Sequence, residues 1–276
     1  MEQGGQLMLT SVVENYPGFP EGVQGSELMA RFLAQAKKFG VRFIDDDATG
    51  IDLNSRPFKV AVGPDTYLAN SVILASGASA KWLGIPSEKK FIGKGVSTCV
   101  TCDAPLYKGK SVVVVGGGDT AMEDSLFLTK FASSVTIMHR RDAFRASKIM
   151  QDRVMSNGKI KVVWNSVIDE VVGTTRVTGV KVKNVKTNAV SDLRTDGVFV
   201  AIGYTPNTAF LQGKLQLDDQ GYIVTRDEVR TGIDGVFVAG DVADKVYRQA
   251  ITAAGSGAKA ALAARAYIQN LKYEKG

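Results

Sequence analysis

Cys99 and Cys102 are the only two cysteines in a chain of 276 residues, and they stand in the run Cys99-Val100-Thr101-Cys102-Asp103. Three kinds of chemistry use closely spaced cysteines. A structural zinc site needs four ligands; two cysteines and a single histidine do not supply them, so no metal is expected. Inert buried cysteines have no need of this spacing. A redox pair does, because two intervening residues bring the sulfurs close enough to bridge. Asp103 follows directly, and a carboxyl beside a dithiol relays protons as the disulfide opens and closes. Its other reading is a turn or capping residue.

A second constellation lies at Gly116-Gly117-Gly118-Asp119-Thr120-Ala121. A Gly-x-Gly-x-x-Ala pattern alone is weak. Here the β-branched run Ser111 to Val115 precedes it, and a helical pattern to about Phe131 follows. Gly116 allows the tight turn after the strand, Gly118 lets the backbone approach a pyrophosphate, and Ala121 lets helix and strand pack closely. Asp119 and Thr120 open the helix, whose free N–H groups and dipole favour anions.

The end of the next strand selects the cofactor. An NAD site places an acid about 20 residues past the glycines, for the ribose 2′-hydroxyl. This chain has His139-Arg140-Arg141 there. Guanidinium forks grip a 2′-phosphate, so the unit predicts NADPH, with Arg140 and Arg141 on the 2′-phosphate and Arg145 one helical turn on. His139 has two readings, a packing residue or a phosphate contact. A dithiol and a hydride donor do not react directly. Hydride carries two electrons, and passing them to a disulfide normally requires a flavin, so an FAD site is expected as well.

These groups need elements to position them. Residues 1 to about 80 open with a loop, Glu14 to Pro20, followed by a predicted helix from Ser26 to Phe39. Strands are predicted at Val41–Ile44, Phe58–Val62 and Ser71–Ala75. Residues 82 to 205 contain the β-α-β unit, closed by Val135–Met138, with further strands at Lys161–Trp164 and Val177–Val182. Ala121, Met122, Ser125, Leu126 and Thr129 share one face of its helix. Residues 206 to 276 carry a strand, Gly235–Ala239, then Gly240-Asp241, and an Ala-rich helix from about Gln249 to Asn270. Strands alternating with helices predict an α/β class with mostly parallel sheets.

Net charge is +6, with Lys and Arg spread along the chain, so neither a nucleic-acid partner nor a membrane is expected. The first residues lack the basic and apolar regions of a signal peptide, and no apolar stretch approaches the roughly 18 residues of a membrane span. The expected setting is a reducing one, the cytoplasm.

Taken together, Cys-Val-Thr-Cys-Asp, Gly-Gly-Gly-Asp-Thr-Ala and His139-Arg140-Arg141-x-x-x-Arg145-Ala146 resemble the low-molecular-weight thioredoxin reductases of bacteria, plants and fungi. The resemblance extends to Gly4-Gly5-Gln6-Leu7, Glu14-Asn15-Tyr16-Pro17-Gly18, Ala201 to Asn207, Gly240-Asp241-Val242 and Tyr247-Arg248-Gln249-Ala250. It implies two Rossmann-like nucleotide-binding domains: an FAD domain in two parts, 1–80 and 206–276, with the NADPH domain, 82–205, inserted between them. It implies a thioredoxin-disulfide reductase, with electrons passing from NADPH through FAD to the Cys99–Cys102 disulfide and on to thioredoxin. Cys102 would lie nearer the flavin, Cys99 would attack thioredoxin, and Asp103 would be the acid. Gly5, Gln6, Asn15, Gly240, Asp241 and Arg248 to Ala250 would hold FAD, and the chain would form a homodimer.

Three departures stand out. Ala104 replaces the family's usual glycine, and Ser76 its usual threonine. The family's opening strand, glycine turn and helix are also missing ahead of Gly4, so the sequence predicts a truncated FAD domain with weak flavin retention. The alternative function is a truncated paralogue that binds NADPH without turning over. A peroxide-reducing flavoprotein subunit and a ferredoxin-NADP reductase fit less well. The first carries extra thioredoxin-like domains, and the second lacks the cysteine pair.

Overall fold

The β-branched run Ser111–Gly116 is the central strand of a five-stranded parallel sheet. Ser134–Met138 and Gly197–Ala201 flank it, with Ile160–Val163 and Val96–Ser97 at the edges. Side chains alternate across a strand, and both faces of this one are covered. Val112 and Val114 meet the helical layer, where Ala121, Met122 and Leu128 are fully buried. Val113 and Val115 meet a three-stranded antiparallel sheet, Ser166–Gly173, Val177–Asn184 and Val190–Arg194, through Ile168, Val171 and Val180. A strand buried on both sides reads as a continuous apolar run.

The computed structural model describes residues 4–10, 12–211 and 213–273. Contacts group the chain into two units. One comprises Met8–Leu28 and Ala80–Gly203; the other comprises the chain up to Leu7, Met29–Ser79 and Tyr204–Gly276. The division departs from the boundaries expected from sequence in one respect. Residues 8–28 group with the NADPH-type unit, because the short strand Val12–Val13, with Val13 buried, lies against the turn Val100–Asp103.

In the other unit, Val72–Leu74 pairs in parallel with Val236–Val238. Ala48–Asp52, Phe58–Val62 and Asp65–Ala69 form an antiparallel meander. Helix Ala250–Tyr273 packs Ala260 and Ala264 on Phe237 and Ala239. The two units share a plan. Each has a three-stranded meander, then a parallel strand, then a glycine with positive φ, Gly77 at 70° and Gly203 at 103°. The class is α/β, as the sequence predicts.

Several predicted elements shift at their ends. The first long helix is Gly25–Lys38 and the last begins at Ala250. The helix after the glycine turn ends at Leu128, and Leu126 and Thr129, expected on its buried face, lie half-buried at the margin. The predicted strand Val41–Ile44 does not form. Val41, Phe43 and Ile44 are 52%, 45% and 50% exposed, and the segment joins no ladder among the described residues. Apolar, β-branched composition makes a strand only where a neighbour takes its backbone N–H and C=O groups.

Candidate active site

The cysteine pair sits where an edge strand gives way to a helical turn. Val96–Ser97 pairs with Val198 and Phe199 of the neighbouring strand. Cys99 is extended (φ −118°, ψ 95°), and Val100–Asp103 then closes one turn, with the Asp103 N–H donating to the Cys99 carbonyl at 3.2 Å. That turn brings the cysteine Cα atoms to 5.3 Å, and the two are joined by a disulfide. Both cysteines are half-buried, and the exposed Thr101 lies between them. Ser97 ties the loop down, its Oγ accepting from the Cys99 N–H at 3.0 Å. Ala104 is fully buried with φ −54° and ψ −38°. Any L-residue adopts this conformation, so the alanine fits without strain.

Asp103 is buried, and its Oδ1 has no hydrogen-bond partner among the described residues. Burial raises its pKa above the usual carboxylate range, Ser97 opposes this by hydrogen bonding, and the Glu14 charge adds to it. A carboxyl that keeps its proton to higher pH is suited to donate it.

The nucleotide-type turn lies in the same unit. A Cβ on Gly116 would come within 2.5 Å of the Ala201 carbonyl oxygen and 2.7 Å of the Ala121 Cβ. The close strand–helix packing therefore requires both small residues. A Cβ on Gly118 would meet nothing within 4 Å, which leaves the backbone open to approach at the start of helix Asp119–Leu128. Four N–H groups at a helix start lack intrahelical partners.

Beyond the strand Ser134–Met138, the side chains of Arg140, Arg141 and Arg145 are exposed and His139 is buried. The segment is an irregular loop, so Arg145 does not stand one helical turn on, as the spacing suggested. Its N–H and that of Ala146 donate to the Gly117 carbonyl, at 2.7 and 3.2 Å, which pins the backbone out of a helix. The Asp119 carboxylate accepts from the Ser147 N–H at 2.8 Å and the Ser147 Oγ at 2.7 Å, and these bonds hold its pKa down. Asp142, the first acid past the strand, is paired with Lys186 at 2.8 Å. Thr120 and Ala121 lie in the first turn of the helix, Thr120 exposed and Ala121 buried.

The residues expected at FAD fall in two places. Gly5 and Gln6 lie in the 3-10 helix Gly5–Leu9, and Gly240 and Asp241 in the 3-10 turn Gly240–Val242, all in the second unit. Arg248 and Gln249 precede helix Ala250–Tyr273 there. The Asp244 carboxylate accepts from the N–H groups of Val246, Tyr247 and Arg248 at 2.8–3.1 Å. Arg248, at φ 50°, lays its guanidinium 4.3 Å over the Tyr204 ring. Asn15 is exposed and belongs to the other unit.

Asp241 tests the fit. Its Oδ1 is buried with no partner among the described residues, and burial, with the Asp244 charge, pushes its pKa up to about 6. A buried acceptor without a donor is costly, and a polyhydroxyl chain such as the ribityl of FAD would offer a fitting hydroxyl. Ser76 donates its hydroxyl to the Asn207 carbonyl at 2.8 Å, so the family's threonine is matched in its hydrogen-bonding group.

The sequence did not reveal Ser97, Gly117 or Ser147, or the Phe144–Trp164 ring contact at 4.3 Å. Ser97, two residues before a cysteine, carries the one local signal among them, that of a side chain turning back on the following backbone.

Residues 2–257 match the family described as pyridine nucleotide-disulphide oxidoreductase, and the chain belongs to it. Within that class, its sequence relatives are thioredoxin reductases. It is 52% identical over 273 residues to the thioredoxin reductase of Rickettsia conorii, covering 97% of this chain and 88% of the relative. It is 49% identical over 283 residues to thioredoxin reductase 2 of Arabidopsis thaliana, covering 99% and 74%. Among solved structures, thioredoxin reductase from Giardia duodenalis superposes with a TM-score of 0.91 at 42% identity, covering 96% of this chain and 87% of that one.

Proposed function

We propose that the chain is an NADPH-dependent thioredoxin-disulfide reductase in which Cys99, Cys102 and Asp103 do the thiol chemistry. One observation carries the assignment of residues. A disulfide is followed at once by a buried carboxyl with one oxygen unpartnered among the described residues, in the same unit as a glycine turn and the loop that carries three exposed arginines.

The net reaction converts NADPH, a proton and a thioredoxin disulfide into NADP⁺ and a thioredoxin dithiol. FAD, when bound, supplies the relay between a two-electron hydride donor and a disulfide. Gly5, Gln6, Asn15, Gly240, Asp241, Arg248, Gln249 and Ala250 would hold it. The glycine turn, Asp119, Thr120 and Ala121 hold the NADPH pyrophosphate, while Arg140, Arg141 and Arg145 hold its 2′-phosphate.

In the reduced pair, the Cys99 thiolate attacks one sulfur of the thioredoxin disulfide. A mixed disulfide forms and the first thioredoxin thiolate leaves. The Cys102 thiolate then attacks Cys99 Sγ, restoring the internal disulfide and releasing the second thioredoxin thiolate. Asp103 donates a proton to a leaving thiolate, and its buried position keeps that proton available.

A homodimer is the assembly proposed, on the resemblance to the family. The cytoplasm is the proposed setting, because a chain whose cysteines are used only as a redox pair suits a reducing compartment. Among the described residues no helix is long and apolar enough to cross a membrane.

The test is NADPH-driven reduction of thioredoxin by the purified chain, with and without added FAD, alongside its flavin absorbance. Turnover that is lost in both Cys99→Ser and Cys102→Ser is expected. NADPH binding with no turnover under either condition would overturn the reductase assignment in favour of a binding-only protein.

A further inference from the structure

The His139 side chain is buried, at 6% exposure, while those of Arg140, Arg141 and Arg145 are exposed. Its Nε2 lies 3.1 Å from the Ala143 carbonyl oxygen. A carbonyl only accepts, so this nitrogen carries the proton. The ring is flanked by Phe144 and Trp164, at centroid distances of 5.5 and 6.2 Å. Its edge fills the space over Gly117, where any Cβ would overlap the imidazole atoms Cε1, Nδ1 and Nε2.

The same glycine receives the Arg145 and Ala146 N–H groups on its carbonyl. The strand ends on either side are fixed too. The His139 carbonyl accepts from the Ser166 N–H at 3.0 Å, and the Arg141 carbonyl accepts from the Asn165 N–H at 3.1 Å. Through the His139 ring and the Gly117 backbone, the turn with its pyrophosphate-facing amides and the loop with three guanidiniums become one piece.

Building on the NADPH reading, we propose that His139 is a positioning residue. It clamps the arginine loop onto Gly117 and sets the preference for a 2′-phosphate without touching the phosphate itself. Two observations separate this from a direct phosphate contact. The imidazole is already engaged by backbone carbonyls, at Ala143 and Gly116. Burial, aided by the Arg141 and Arg145 charges and opposed by the Ala143 and Gly116 carbonyls, also holds the pKa below the ordinary histidine value, which disfavours a cation at this ring.

The experiment compares dissociation constants for NADPH and NADH, by titration of the whole chain, in wild type and four variants. These are His139→Ala, His139→Gln, Gly117→Ala and the double variant Gly117→Ala/His139→Ala. Thermal melts confirm that each is folded. The expected result is a loss of NADPH affinity of about tenfold or more in His139→Ala, with NADH affinity nearly unchanged. His139→Gln, which keeps a side-chain N–H within reach of Ala143, restores most of the preference. Wild type and His139→Gln then follow the same pH dependence between about pH 6 and 8, because only the ligand phosphate titrates there.

Gly117→Ala is expected to weaken NADPH strongly when His139 is present and little when it is absent. The proposal is overturned if His139→Ala weakens both nucleotides equally. It is overturned equally if His139→Gln is as weak as His139→Ala and loses tightening at acid pH that wild type shows, since that marks an imidazolium ligand. A wild type that does not prefer NADPH over NADH overturns the cofactor reading, and this inference with it.

Discussion

Asp103 and Asp241 are both buried, both raised in pKa, and both leave Oδ1 without a partner among the described residues. Each makes a different prediction. Asp103→Asn keeps the shape and removes the proton. Thioredoxin reduction is expected to fall by about 10²–10⁴-fold in steady-state assays, with NADPH affinity unchanged. For Asp241, the folded pKa of about 6 lies above the ordinary aspartate value of 3.8. Between these values the native state binds more protons than the unfolded one. The stability it contributes is therefore full below the lower value and is lost as pH rises through the upper one. Urea unfolding of the flavin-free chain should show this decline, and Asp241→Asn should flatten it. What sequence neighbours decide is legible: the Cys99–Cys102 pair, and the small residues Gly116 and Ala121 at the strand–helix turn. Asp119 was read as a helix-opening residue, but its partner Ser147 comes from 28 positions away, and no local pattern announces such a pair.

Elements were legible where their own residues decide them. The strand Ser111–Gly116 and the helix after it form because buried β-branched and small residues meet at the turn. Gly116→Ala forces the Ala201 carbonyl and Ala121 apart, an overpacking cost of about 1–3 kcal/mol, which the midpoint of chemical denaturation would show. Leu128 is fully buried beneath the sheet, so Leu128→Ala is expected to cost about 2–5 kcal/mol in the same measurement. Val41–Ile44 was misread for the complementary reason. Its composition suits a strand, yet pairing is a property of two segments, and one sequence run shows only its own half. Arg145 was misplaced in the same way, because the carbonyl that holds its backbone belongs to Gly117 in another element.

At the scale of the whole chain, contacts divide it into two units. Residues 8–28 group by contact with the unit containing Ala80–Gly203, through long-range contact with Val100–Asp103 that no local run of sequence shows. A ligand that binds one folded unit stabilises that unit by mass action, about 2.7 kcal/mol at a hundredfold excess over its dissociation constant. NADPH is therefore expected to raise the calorimetric transition of the unit containing Ala80–Gly203 and to leave the other nearly unmoved. Equal shifts in both would count against a nucleotide site confined to one unit. The chain also carries a built-in reporter. Its single histidine is His139, and the Cε1 of that ring faces Gly117. In a magnetic-resonance spectrum of protein labelled at histidine, one Cε1–H signal would stand alone. Its chemical shift would follow the join between glycine turn and arginine loop, nucleotide by nucleotide, with no assignment needed.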